Sequence, residues 1–269
     1  LEAQLNDEVS QELGAFKASL SPEEIGRLVE ETRELLDYQQ REDDPTALAT
    51  IPMLDLRDIN PRAEWYDVEE SKVEEVTLLH HQTFTNNVVY ARFYFNADVL
   101  PVELLPYAAL LGEILGSMNT QNYSYEDLDT QLNLHTGGFS SFISHYIREE
   151  NEDNLLPLFI VQGKAMKDKT AKMLELIDEI LHRTIIDDEG RLKEVLTRHQ
   201  SRLESHVKSN GLDIARNRVR SYYSVAGSFA EKTDGIDYYW FITDLVNAFD
   251  ENYASIVGQL QKTVSLLFN

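Results

Sequence analysis

The prolines at positions 45 and 52 constrain this chain more than any other feature. Pro45 lacks a backbone N–H and has φ fixed near −65°, which suits the first position of a helix, and Asp44 stands before it as a cap. Pro52 forces Ile51 out of helical geometry, so the helix is short and the chain continues extended. Ile51, Met53, Leu54 and Ile59 are too apolar for a free linker. They are expected to pack and so to fix how the preceding residues sit on the following ones. A plain interdomain strap satisfies the local physics equally well.

Before this stretch the pattern is helical. Leu1, Leu5, Val9, Leu13, Phe16 and Leu20 recur at steps of three and four among charged and amide residues. Ser21-Pro22-Glu23-Glu24 is a capping box with proline at the first helical position, followed by a stripe of Ile25, Leu28, Val29, Leu35 and Leu36. So short a break predicts an antiparallel pair whose apolar faces need each other or another surface. A coiled-coil-like dimerisation arm is the alternative use of such a pair.

After it, residues 60–71 read as loop. Val73–Phe84 and Val88–Phe95 alternate around Thr85-Asn86-Asn87 and predict a β-hairpin, with Val89, Ala91, Phe93 and Phe95 on one face. Helices follow over Val102–Ser117 and from a cap at Ser124 to Gly137-Gly138. Strands follow over Phe139–Arg148 and Leu156–Ala165, with a turn at Asn151–Asn154. Asp168 is expected to cap the next helix. Helices alone follow Asp188, with breaks near Asn210-Gly211, Gly227 and Thr233–Gly235. The fold class is therefore α+β: a two-layer sandwich of an antiparallel or mixed sheet with helices on one face, preceded by a helical hairpin. Two regions are expected, a hairpin linker and hinge segment over residues 1–59 and an α+β domain over 60–269.

Of the 269 residues, 47 are acidic and 24 basic, a formal net charge of −23. Such a surface repels nucleic acid and anionic lipid and excludes both as partners, while favouring basic peptides. There is no cysteine, hence no disulfide and no thiolate metal site. No run of 18 apolar residues predicts a membrane span. Leu1 stands where an initiating methionine would, and no signal-peptide pattern is present, as for a piece of something longer.

Catalytic patterns are missing. His80 and His81 are adjacent on a strand and point to opposite faces. His199 and His206 lie seven apart on a helix, roughly 10 Å along its axis, too far to ligate one ion directly. His135 and His145 flank the diglycine and read as structural. No H-E-x-x-H, H-x-x-E-H, G-x-S-x-G, P-loop or G-x-G-x-x-G occurs. The expected site content is none: no catalytic, cofactor-binding or metal residue.

Residues 20–59 nevertheless resemble a known family. Ser21, Glu23, Glu24, Gln39, Asp44-Pro45, Ile51-Pro52-Met53-Leu54 and Asp58-Ile59 match the helical hairpin and following segment of the presequence-protease branch of the insulinase/pitrilysin zinc metallopeptidases. The run Val88–Gly138 is similar to that family's domain core, with Leu105-Pro106-Tyr107 opening a helix and Gly137-Gly138 before a strand. The resemblance implies four homologous α+β domains, the hairpin joining two halves that close around a peptide-digesting chamber. It implies zinc in the first domain, held by H-x-x-E-H and a distal Glu, with Arg and Tyr contributed by the fourth. This chain has none of those motifs, so no catalytic residue carries over. The match is to the linker plus the third, associated domain. The partners implied are the remaining domains of the same chain and unfolded peptides. The compartment implied is bacterial cytoplasm, a mitochondrial matrix or another organelle lumen. A stand-alone scaffold module and an enzyme with an unrecognised metal site are the rival readings.

Overall fold

The computed structural model describes residues 2–63, 65–148 and 151–268. It divides into two compact units, Leu1–His81 and Gln82–Asn269.

The first unit opens with α1 (Glu2–Ser19) and α2 (Pro22–Gln40). The capping box forms as expected: the Ser21 hydroxyl accepts from the Glu24 N–H at 3.3 Å, and the Glu24 carboxylate accepts from the Ser21 N–H at 2.8 Å. Leu1 lies outside the described residues. Val9, Leu13 and Phe16 on α1 and Leu28, Val29, Leu35 and Leu36 on α2 stay about half exposed, so the two apolar stripes are not buried within this chain. Asp44 caps α3 (Pro45–Leu48) by accepting from the Thr46 N–H at 2.8 Å.

The apolar residues after α3 do not pack as expected. Met53 and Leu54 are 84% and 86% exposed, and Ile51 and Ile59 are exposed too. Local capping rather than burial organises the segment. Asp55 caps a 3-10 turn over Leu56–Asp58 and also binds the Arg57 guanidinium at 2.8 Å, while Asp58 accepts from the Asp55 N–H at 2.8 Å. The unit ends in a two-stranded hairpin, β1 (Glu69–Val73) against β2 (Val76–His80), turned through Glu74 at φ 54°. The expected pairing of this region with Val88–Phe95 is therefore wrong, because 76–80 takes a local partner first.

In the second unit β3 (Val88–Asn96) pairs with β5 (Asn151–Met166), and β5 with β4 (Gly138–Arg148), all antiparallel, in the order β3-β5-β4. Asn151–Asn154, read as a turn, belongs to β5; Glu149 and Glu150 lie outside the described residues. Between β3 and β4 come a 3-10 turn (Val102–Leu104), α4 (Leu105–Ile114) and α5 (Tyr125–His135). Ser124 caps α5 from the Asp127 N–H. Its C-cap is Thr136, not the diglycine; Gly137 donates its N–H to the Lys164 carbonyl and leads into the sheet.

A 3-10 turn at Lys167–Lys169 precedes α6 (Thr170–Arg183), so Asp168 sits in that turn and does not cap. Then come α7 (Glu189–Ser209), α8 (Gly211–Ser221), α9 (Val225–Thr233), α10 (Ile236–Asn247) and α11 (Phe249–Phe268). The break expected near Gly227 falls at Tyr222–Ser224, and Gly227 itself lies in the first turn of α9, where a Cβ would come 2.4 Å from the Arg220 carbonyl oxygen.

The helices bury one face of the three-stranded sheet. Along each strand alternate residues share a face. Register puts Ala91, Phe95, Phe159, Val161, Gly163, Ser141 and Ile143 together. Against them pack Gly112 of α4, Met173 and Ile177 of α6, and Phe268 of α11, whose ring meets Phe95 and Phe159 edge-on at 4.7 and 5.6 Å. The expected α+β class with helices against a sheet is what forms.

Candidate functional site

Two features of the second unit could engage a ligand. One is a cleft of about 430 Å³ between α4, β4, α7 and the α9–α10 connection. His199 and His206 both line it, with Glu113, Arg202, Asp234 and Tyr238. Seven residues of helix bring the two histidines to one cleft without bringing them to one ion, and no group of three or more His, Asp or Glu placed to hold a metal occurs among the described residues.

The cleft's polar groups bond one another. His199 Nδ1 lies 3.4 Å from the Arg202 guanidinium and 3.6 Å from the Glu113 carboxylate. Its Nε2 is hydrogen-bonded to the Tyr238 hydroxyl at 3.0 Å. Burial pushes the His199 pKa below its ordinary value, Glu113 opposes this and Arg202 reinforces it. Arg202 also pairs with Glu113. Burial raises the Tyr238 hydroxyl well above its ordinary range. Asp234, at the mouth, is raised by desolvation and held back by His206. The Ser141 and Thr233 hydroxyls donate to the Gly112 and Phe229 carbonyls, each at 3.0 Å. Neither hydroxyl faces a free base, and the arrangement clamps α4, α7 and α10 together.

The other histidines stand apart. His80 pairs with Glu69 at 3.2 Å, and His81 follows the strand end. His135 ends α5, and His145 packs its ring against Phe229 on the helix side of the sheet.

The second feature is the bare face of the sheet, which sequence reading had not singled out because it followed only the other face of the strand. Tyr90, Tyr94, Phe142 and Tyr146 are 66%, 48%, 37% and 46% exposed there. Ile160, in register between Tyr94 and Phe142 on the central strand, is 1% exposed beneath them. The charged side chains described on this face are Arg92 and Lys164. No carboxylate is among them. Asp55 and Asp58 of the first unit bond backbone N–H groups of their own turn.

The profile of the family described as associated with peptidases of family M-16, subfamily C, matches residues 1–245. The chain belongs to that family. It is 32% identical over 262 residues to "Protein HypA" of Clostridium perfringens, covering 97% of this chain and 27% of that protein. It is 28% identical over 251 residues to "Presequence protease 1, chloroplastic/mitochondrial" of Arabidopsis thaliana, covering 93% and 23%. With the mitochondrial "Presequence protease" of Saccharomyces cerevisiae it shares 26% over 249 residues, 87% of this chain and 25% of that one. The chain thus spans about a quarter of the length of these relatives. No helix among the described residues is long and apolar enough to cross a membrane.

Proposed function

We propose that this chain is the non-catalytic associated segment of a zinc metalloendopeptidase that degrades unfolded peptides inside a closed chamber. Residues 1–59 would join and hinge the two halves, and the α+β domain would help to line the chamber. The observation that carries this reading is the two-sided sheet. Helices cover one face over Ala91, Phe95, Phe159 and Val161, and the other offers exposed aromatic rings to whatever lies beyond. Family membership supplies the protease context, and relatives bearing the name presequence protease supply the substrate class.

Zinc does not fit this segment, since its described residues offer no cluster of ligands. The metal is assigned to the parent chain's first domain, and no step of the chemistry runs through residues seen here. Enclosure would restrict substrates to unfolded peptides small enough to enter, with closure gating the chemistry. The partners are then the remaining domains of the same polypeptide, in bacterial cytoplasm or an organelle matrix. The test is to isolate the natural polypeptide and measure its mass, zinc content and peptide hydrolysis. A native chain of 30.9 kDa would favour the stand-alone module, and stoichiometric zinc bound by these 269 residues alone would sink the non-catalytic assignment.

A further inference from the structure

The described charged side chains of the bare sheet face are opposite in sign to the chain as a whole. In a molecule of net charge −23, the described charged side chains on this face are two cations. Arg92 pairs in register with Gln162, and Lys164 lies two residues along the same strand, so the cations are diagonal neighbours across β3 and β5. Such neighbours sit about 7–8 Å apart. Neither makes an ion pair or side-chain hydrogen bond with another described residue, although acidic side chains are abundant elsewhere. Lys164 is aimed by the diglycine. Its methylene stem lies where a side chain on Gly137 would stand, at 3.2 Å from that site, and across the sheet from it is Gly138. Tyr90 flanks Lys164 in register, and Tyr94 is the next residue on this face after Arg92.

We propose that this face docks extended peptide segments in which a carboxylate stands beside aromatic or aliphatic side chains. Carboxylates pair with Arg92 or Lys164, and the apolar side chains lie on Tyr90, Tyr94 and Phe142. The proposal deepens the peptide-handling reading above and replaces its expected preference for basic segments at this surface. Charge complementarity selects the occupant. A basic segment would place like charges against two cations that pair with no described carboxylate, whereas an acidic one supplies counter-charges to them.

The test uses the natural polypeptide that contains these residues, with metal removed by a chelator so that nothing is cleaved, and three labelled, unstructured dodecapeptides of alternating Leu, Phe and a variable residue, which is Glu, Gln or Lys. Binding is followed by fluorescence anisotropy at about 0.15 M salt, where a Debye length of about 8 Å screens the chain's overall negative field but not contact pairs. The Glu peptide is expected to bind tightest and the Lys peptide weakest. The double substitution R92E/K164E should reverse that order, with each exposed pair worth about two- to fivefold. Tyr94→Ser should weaken all three peptides together. Equal binding of the Glu and Lys peptides, indifference to R92E/K164E in a variant with unchanged circular dichroism, or no binding at all would overturn the proposal. So would a sedimentation profile in which a second copy of the chain covers the face. Any of these leaves hydrolysis by the natural polypeptide unaffected, so the two readings fail separately.

Discussion

Glu179 on α6 offers a sharp test of what holds the second unit together. Its side chain is 4% exposed. The backbone and side-chain N–H groups of Asn122 donate to it at 3.0 and 2.8 Å, and the Arg183 guanidinium at 2.9 Å. These bonds tie the loop before α5 to α6. Burial alone would raise the Glu179 pKa, but hydrogen bonds from Thr120, Asn122 and Arg183 overcome it and bring the group from 4.5 down to about 2. That displacement of about 2.5 pH units corresponds to about 3.4 kcal/mol at about 1.4 kcal/mol each. Arg183 is 40% exposed and shares its attraction with solvent, so about 1–3 kcal/mol is the expected contribution. The folded-state pKa is depressed. The stabilisation is therefore present above the unfolded value of 4.5 and is lost as pH falls from there towards 2. Glu179→Gln keeps the shape and removes the charge. Urea unfolding monitored by Trp240 fluorescence in a Trp65→Phe background should show the variant less stable by about 1–3 kcal/mol near pH 7, with the gap closing towards pH 3. A gap independent of pH, or none at pH 7, would refute the reasoning.

Three further outcomes follow from particular contacts. Gly227→Ala should lower the melting temperature by several degrees, because its Cβ would meet the backbone carbonyl of Arg220 and overpacking of this kind costs about 1–3 kcal/mol; an unchanged melt would contradict the close approach. Ser21→Ala should cost about 1 kcal/mol and speed hydrogen exchange in the first turn of α2, and unaltered protection there would count against the cap. His199 should titrate below its ordinary 6.5 by NMR, so its contribution is intact above that pH and is lost as pH falls and the unfolded chain takes up a proton; titration at or above 6.5 would contradict the buried, neutral assignment.

Local signals in the sequence survive into the structure where short-range chemistry decides. Ser21, Asp44 and Ser124 cap helices because their side chains bond backbone two or three residues on, an interaction readable from spacing alone. The face shared by Ala91 and Phe95 follows from period-two alternation in the same way. Partner choice is different. Val88 pairs with Met166, far along the chain, and nothing near Val88 specifies that. The Glu74 turn that gives β2 its local partner lacks the usual glycine or asparagine, so the hairpin was invisible. Gly227 follows the α8–α9 break, but the Arg220 carbonyl that a side chain there would meet cannot be read from the local pattern. The cleft joins residues from α4, α7 and α10, and the cations of the bare face come from different strands, so neither had a sequence motif to announce it.

The central claim is that these residues serve a peptidase without carrying its chemistry. The direct measurement sets the natural polypeptide, expected at roughly four times this chain's 30.9 kDa from the coverage of its relatives, beside the isolated 269 residues in one peptide-hydrolysis assay with and without a zinc chelator. The account predicts chelator-sensitive cleavage of unfolded peptides by the former and none by the latter. Cleavage by the isolated chain that survives repurification and is abolished by a point substitution within it would contradict the account.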